Sequence, residues 1–89
     1  KAVVWYRGIR LPLLLTLPPM SGERLIKLVG RRAKELRRRR GLTQEDMMSH
    51  GFERRYYQRI EAGKVNLSIK SLNKLARAFG VEPSELLRA

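Results

Sequence analysis

Eighty-nine residues without a cysteine are enough for one small domain, whose core has to come from side-chain packing because no disulfide can staple it. Twenty Lys and Arg against eight Asp and Glu give a net charge of +12, which favours a polyanionic partner, nucleic acid first and an anionic membrane surface second. A single histidine, His50, and the lack of paired carboxylates in an apolar stretch point away from an enzyme, and neither a Cys/His or acidic metal-ligand cluster nor a glycine-rich phosphate loop is present, so no metal or cofactor is expected.

In chain order, residues 1–20 read differently from everything after them. Val3-Val4-Trp5-Tyr6 has the composition of a strand, and residues 11–17 form an apolar run broken by Pro12. Such a run is too short to span a bilayer, and no small-x-small cleavage site follows it, so neither an anchor nor a secretory signal is expected. Met20-Ser21-Gly22-Glu23 looks like a natural protein beginning. The residues before it are then an added segment, an upstream extension, or an arm that packs on a partner subunit. Residues 21–89 are expected to form the functional domain.

From Ser21 a helix is expected to about Arg40, because Leu25, Leu28, Val29, Ala33 and Leu36 recur every three or four residues and Gly41 follows. Its last turn is four arginines, Arg37, Arg38, Arg39 and Arg40. They exceed what the helix dipole needs, so contact with a phosphate backbone is the expected extra role.

Thr43 followed by Asp46 is an N-cap signature, which starts a helix at Gln44. It runs to about Ser49, since Gly51 can take the left-handed conformation of an abrupt reversal. Glu53 is an acidic cap for the next helix, in which Phe52, Tyr56 or Tyr57, and Ile60 mark an apolar side while Arg54, Arg55, Gln58 and Arg59 fall on the other. Gly63 stops it. A short helix, a glycine turn and a second helix with three arginines and a glutamine on its free face is what major-groove reading needs: arginine donates in parallel to guanine, and glutamine pairs with adenine. A solvated basic face on a small helical domain is the alternative.

Lys64-Val65-Asn66-Leu67 reads as a loop, and Ser68 caps a helix whose Ile69, Leu72, Leu75, Ala76 and Phe79 are expected in the core until Gly80. A last helix begins near Glu82-Pro83 and carries Leu86 and Leu87. Five helices joined by short loops, preceded by an extended arm, make an all-α domain.

Three blocks in order, Gly41-Leu42-Thr43-Gln44-Glu45, Arg59-Ile60-Glu61-Ala62-Gly63-Lys64 and Leu75-Ala76-Arg77-Ala78-Phe79-Gly80-Val81, carry a resemblance. Over residues 25–87 the chain resembles the helix-turn-helix domains of the phage-repressor type, such as lambda repressor, Cro and the xenobiotic-response-element regulators. The resemblance implies that Gln44, with Thr43 beside it, meets DNA phosphate and braces the recognition helix. It implies that Arg54, Arg55 and Arg59 touch base edges, that Tyr56, Lys64 and Asn66 lie near the sugar-phosphate backbone, and that Arg37 pairs with Glu61 to lock the first helix to the third. Tyr57 stands where the family keeps a branched aliphatic residue, so its ring is expected to be buried with the hydroxyl at the rim.

The chain departs from the family pattern twice. It is one residue shorter between the second helix and Gly51, so that helix must end early or its turn must tighten, and Met48 takes a place usually held by alanine.

The expected protein is a cytoplasmic, sequence-specific regulator of transcription, a repressor, that binds double-stranded DNA as a homodimer on a two-fold operator without a cofactor. Leu86, Leu87 and the apolar arm are candidates for the dimer surface. Two rivals belong to other classes. One is an antitoxin-like module in which the arm grips a protein partner and DNA binding is secondary. The other is a sequence-blind basic binder of RNA or anionic membrane, favoured by charge and disfavoured by the helix-turn-helix spacing.

Overall fold

Ser21 has the extended backbone of an N-cap, and its Oγ accepts from the amide of Arg24 at 3.2 Å, so helix α1 (Gly22–Arg39) begins where a free helical amide has a partner. Residues 3–12 and 21–88 are described in this computed structural model. Residues 13–17 of the apolar run, and the junction at 20 between arm and domain, lie outside them.

The strand read at Val3-Val4-Trp5-Tyr6 is β1 (Val3–Tyr6), and it pairs antiparallel with β2 (Ile9–Pro12), setting Val3 opposite Pro12 and Tyr6 opposite Ile9. Arg7 and Gly8 between them have φ of 52° and 76°. Two positive φ values in a two-residue loop give the turn whose twist matches that of the flanking strands.

Residues 21–88 contain helices only. The expected helix after Thr43 is there, but it is a 3-10 helix (Glu45–His50) rather than two turns of α-helix. Thr43 and Asp46 cap it reciprocally: the Asp46 amide donates to Thr43 Oγ1 at 3.1 Å and the Thr43 amide to Asp46 Oδ2 at 2.7 Å. Gly51, at φ 88°, closes it, with the Phe52 amide reaching back to the Met47 carbonyl at 3.2 Å. The missing residue is absorbed by tightening, because between a fixed cap and a fixed reversal the i→i+3 winding fits fewer residues per turn.

Helix α2 (Arg54–Glu61) is capped by Glu53, whose Oε1 accepts from the Tyr56 amide at 2.7 Å. Helix α3 (Ile69–Phe79) is capped by Ser68 through the Ser71 amide at 3.1 Å and ends at Gly80. The last expected helix is also a 3-10 segment (Pro83–Leu87), with Pro83 in its first turn. The expected five α-helices are thus three, with two 3-10 segments, because neither short stretch can form enough i→i+4 bonds to offset the ordering of its first turn.

The core lies where α1, α2, α3 and both 3-10 segments meet, around Ala33, Met47, Tyr57, Leu75, Phe79 and Leu86. Burying each large apolar side chain contributes about 1.5–3 kcal/mol. Phe52 and Tyr57 meet edge to face, centroids 5.8 Å apart, pinning the turn to α2.

Three side chains stand elsewhere than the sequence reading or the family pattern suggests. Ile69, expected in the core, is 80% exposed, because as the first residue of α3 it overhangs the end of the bundle. Met48 is 52% exposed while Met47 fills the interior, so the methionine at the alanine place does not lie between packed helices. Leu86 is fully buried, which removes it from the candidate dimer surface and leaves Leu87 and the arm.

Periodicity does not mark Gly30. A Cβ there would lie 2.6 Å from the Ile60 carbonyl oxygen and 3.0 Å from that of Glu61, so glycine is what lets α1 rest directly on the end of α2.

Candidate nucleic-acid interface

Alternation of buried and exposed residues along α2 sets the site. Tyr57 and Ile60 are buried; Arg54, Arg55, Gln58 and Arg59 are exposed. Among the described residues only Arg54 of these four has an ion-pair partner, Glu45, at 3.3 Å with both side chains well exposed. At such exposure the contact contributes little. Arg55, Tyr56, Arg59, Lys64 and Asn66 line one shallow depression, and Arg54, Arg55 and Gln58 line the next, so Arg55 belongs to both. The face offers guanidinium forks and an amide to a partner that presents acceptors.

Glu61 holds this face in place from behind. Arg37 Nε donates to Glu61 Oε2 at 2.6 Å and Arg37 Nη2 to Oε1 at 3.2 Å, while Gln44 Nε2 donates to Oε1 at 3.0 Å. The Tyr57 hydroxyl donates to Glu61 Oε2. It is turned inward to this carboxylate instead of standing at the rim. The side chains of Arg37 and Glu61 are 10% and 4% exposed. Burial pushes the Glu61 carboxyl up, but the hydrogen bonds from Arg37, Tyr57 and Gln44 outweigh it and leave its pKa below the ordinary glutamate value. Burial and the Glu61 hydrogen bond raise the Tyr57 phenol. The hydrogen bond to Glu61 raises the Arg37 guanidinium, against the lowering effect of burial. All three groups therefore stay in the states that bond one another. Arg37 Nη1 also donates to the Leu42 carbonyl at 2.8 Å, tying α1 to the segment that leads into the first 3-10 helix.

Lys74 braces the turn from α3. Its Nζ donates to the Gly51 carbonyl and lies 4.7 Å from the centre of the Phe52 ring. Nothing in the sequence pattern marks Lys74, since its partners are a backbone atom and a ring 23 and 22 positions away.

The four-arginine run is split by its surroundings. Arg37 is inside; Arg39 lies 3.3 Å from Glu35; Arg40 Nη1 donates to the Phe79 carbonyl at 2.8 Å. Of the four, only Arg38 has neither an ion pair nor a side-chain hydrogen bond among the described residues. Arg38 and Arg39 line a depression on α1 with Arg31, Lys34 and Glu35, apart from the depressions on α2. Thr43 is occupied as a cap, and Gln44 faces Glu61.

This arrangement, two short helices meeting at a left-handed glycine with the second helix braced from behind and its polar face bare, is a helix-turn-helix. A helix-turn-helix family model matches residues 34–86. Over 62 residues the chain is 42% identical to the uncharacterized HTH-type transcriptional regulator y4dJ of Sinorhizobium fredii, covering 68% of this chain and 80% of that protein. In structure it is similar to the restriction-modification controller protein C.AhdI from Aeromonas hydrophila, with 39% identity, a TM-score of 0.65, and coverage of 68% of this chain and 94% of that one. It is also similar to the DNA-binding domain of BldD, with 25% identity, a TM-score of 0.68, and coverage of 78% and 100%. The chain belongs to the helix-turn-helix family, of the Cro, C1 and xenobiotic-response-element type. It is a DNA-binding transcriptional regulator.

Proposed function

We propose that the protein is a cytoplasmic repressor that reads a two-fold operator as a homodimer, inserting α2 into the major groove of double-stranded DNA, without cofactor or catalysis. Residues 21–89 are the binding domain and 1–20 an extension to it. The observation that carries this reading is the α2 face: Arg55, Gln58 and Arg59 stand exposed without ion pairs among the described residues, on a helix fixed by the buried Arg37–Glu61–Tyr57 cluster. Arg54, Arg55, Arg59 and Gln58 meet base edges. Tyr56, Lys64, Asn66, Gln44, Thr43 and Arg38 meet the backbone; Arg39 and Arg40 can join them only by leaving Glu35 and Phe79.

Dimerisation is supported by a groove without Lys or Arg on a chain of charge +12, lined by Leu25, Ile26, Leu67, Ile69 and Leu87, with Glu23 its one charged residue. Like-charged copies can approach there with least repulsion.

Alanine substitutions at Arg54, Arg55 and Arg59, each assayed against a selected operator and its single-base variants, test the reading. Removing a bidentate arginine–guanine pair costs about 1–3 kcal/mol and relaxes preference at one base position. If all three variants weakened every duplex equally, α2 would not be reading sequence.

A further inference from the structure

The cations of α1 divide into two sets by their partners. Arg24, Lys27, Arg31, Lys34 and Arg38 recur at intervals of three, four, three and four, so they share one seam of the helix. All five are exposed, and none has an ion pair or a side-chain hydrogen bond among the described residues. The arginines off this seam are all engaged. Arg32 Nε donates to the Glu85 carbonyl at 2.8 Å, Arg37 holds Glu61, Arg39 reaches Glu35 and Arg40 reaches the Phe79 carbonyl. Glu35 lies next to the seam but is turned to Arg32 and Arg39. Five like charges one helical turn apart repel one another, which weakens the free helix. A row kept bare despite that repulsion suits an external run of anions.

We propose that this seam is a second phosphate-binding track, which takes the backbone of duplex DNA outside the half-site that α2 reads. The proposal rests on the reading of α2 as the base-reading helix. Lys27 lies against the turn that ends α2, since a Cβ on Gly63 would stand 3.0 Å from Lys27 Cγ, and Lys64 follows that turn. The track, which runs along α1 from Arg24 to Arg38, therefore passes beside a residue assigned to the DNA backbone. The fourteen steps from Arg24 to Arg38 rise about 21 Å, the length of about six base pairs at about 3.4 Å each. An anionic membrane is the weaker partner, because a helix that lies on lipid needs a free apolar face beside its cations. Here Leu28, Val29, Ala33 and Leu36 are buried in the core.

The test uses the full chain and a Lys27→Gln/Arg31→Gln/Lys34→Gln variant. Binding is measured against salt on a duplex limited to the half-site and on one extended by about one helical turn on each side. On the extended duplex the log–log salt slope of the variant should fall by about 0.9 for each phosphate that is no longer neutralised, up to about 2.7 for three. On the short duplex the two proteins should agree, and base preference should be unchanged. Thermal melting should not be lowered, since the substitutions relieve repulsion. A charge-keeping Lys27→Arg/Arg31→Lys/Lys34→Arg variant should restore the slope. Equal slopes for wild type and variant on the extended duplex, or an equal fall on both duplexes, would overturn the track, as would loss of binding to anionic phospholipid vesicles with DNA binding intact. Failure of the α2 reading would look different: wild-type protein would show no base preference, whatever the slopes did.

Discussion

At the scale of single residues, Glu61 decides how firmly the DNA-binding face is held. It accepts from Arg37, Gln44 and Tyr57, so one carboxylate joins α1, the entry to the first 3-10 helix and α2 itself. Removing one member strands a buried charge, and either Arg37→Met or Glu61→Gln should cost on the order of 3 kcal/mol. The double variant should cost less than the sum, and denaturant melts of the three proteins measure that coupling. Additive losses would mean that the two side chains do not act as a pair. The pH dependence follows from the direction of the Glu61 shift. Its folded pKa is below the ordinary value of 4.5, so its stabilisation is fully present above that pH and is lost as pH falls through the lower folded value. Glu61→Gln should flatten the acid limb of stability against pH relative to wild type.

At the scale of elements, close backbone approach matters as much as side-chain packing. Gly30→Ala would improve intrinsic helix propensity by up to about 1 kcal/mol. It would also put a methyl group within 3.1 Å of three backbone atoms, of Ile60, Glu61 and Gly63, which cannot swing aside as a side chain would. Overpacking of this kind costs about 1–3 kcal/mol. We expect net destabilisation in thermal melts, with weakened DNA binding because α2 shifts on α1. Unchanged melting would mean that the two helices can part without cost. The first 3-10 helix makes the same point about length: its cap and its closing glycine are both visible in sequence, and the distance between them sets its winding.

At the scale of the molecule, the distribution of charge separates the surfaces. The α2 face and the α1 seam are basic, and the groove at Leu25, Leu67, Ile69 and Leu87 is neutral apart from Glu23. Ile69→Lys changes an exposed residue and should leave the fold intact. If the groove is the homodimer surface, losing one buried isoleucine per copy removes two per dimer, about 3–6 kcal/mol, and with the added charge should weaken association by at least about a hundredfold. Sedimentation over a range of concentrations reads this directly. Dimerisation unaffected by Ile69→Lys would place the subunit contact elsewhere.

The caps, the closing glycines and the two faces of α2 are legible in the sequence because each rests on contacts within about four residues. Thr43 with Asp46, Glu53, Ser68, Gly51 and Gly80 mark their elements from local chemistry alone. The β2 strand has a local signal too, Arg7-Gly8, weak because arginine stands where a turn of this type favours Asn, Asp or Gly. Tertiary structure decided everything that depends on what comes near from far along the chain. It placed Gly30 against the Ile60 carbonyl and Lys74 at the Gly51 carbonyl, turned the Tyr57 hydroxyl inward to a carboxylate, and left Ile69 outside the core. It also separated the basic residues of α1 into paired and bare sets, because an arginine's partner is fixed by which acid or carbonyl the fold brings within reach, and periodicity carries no record of that.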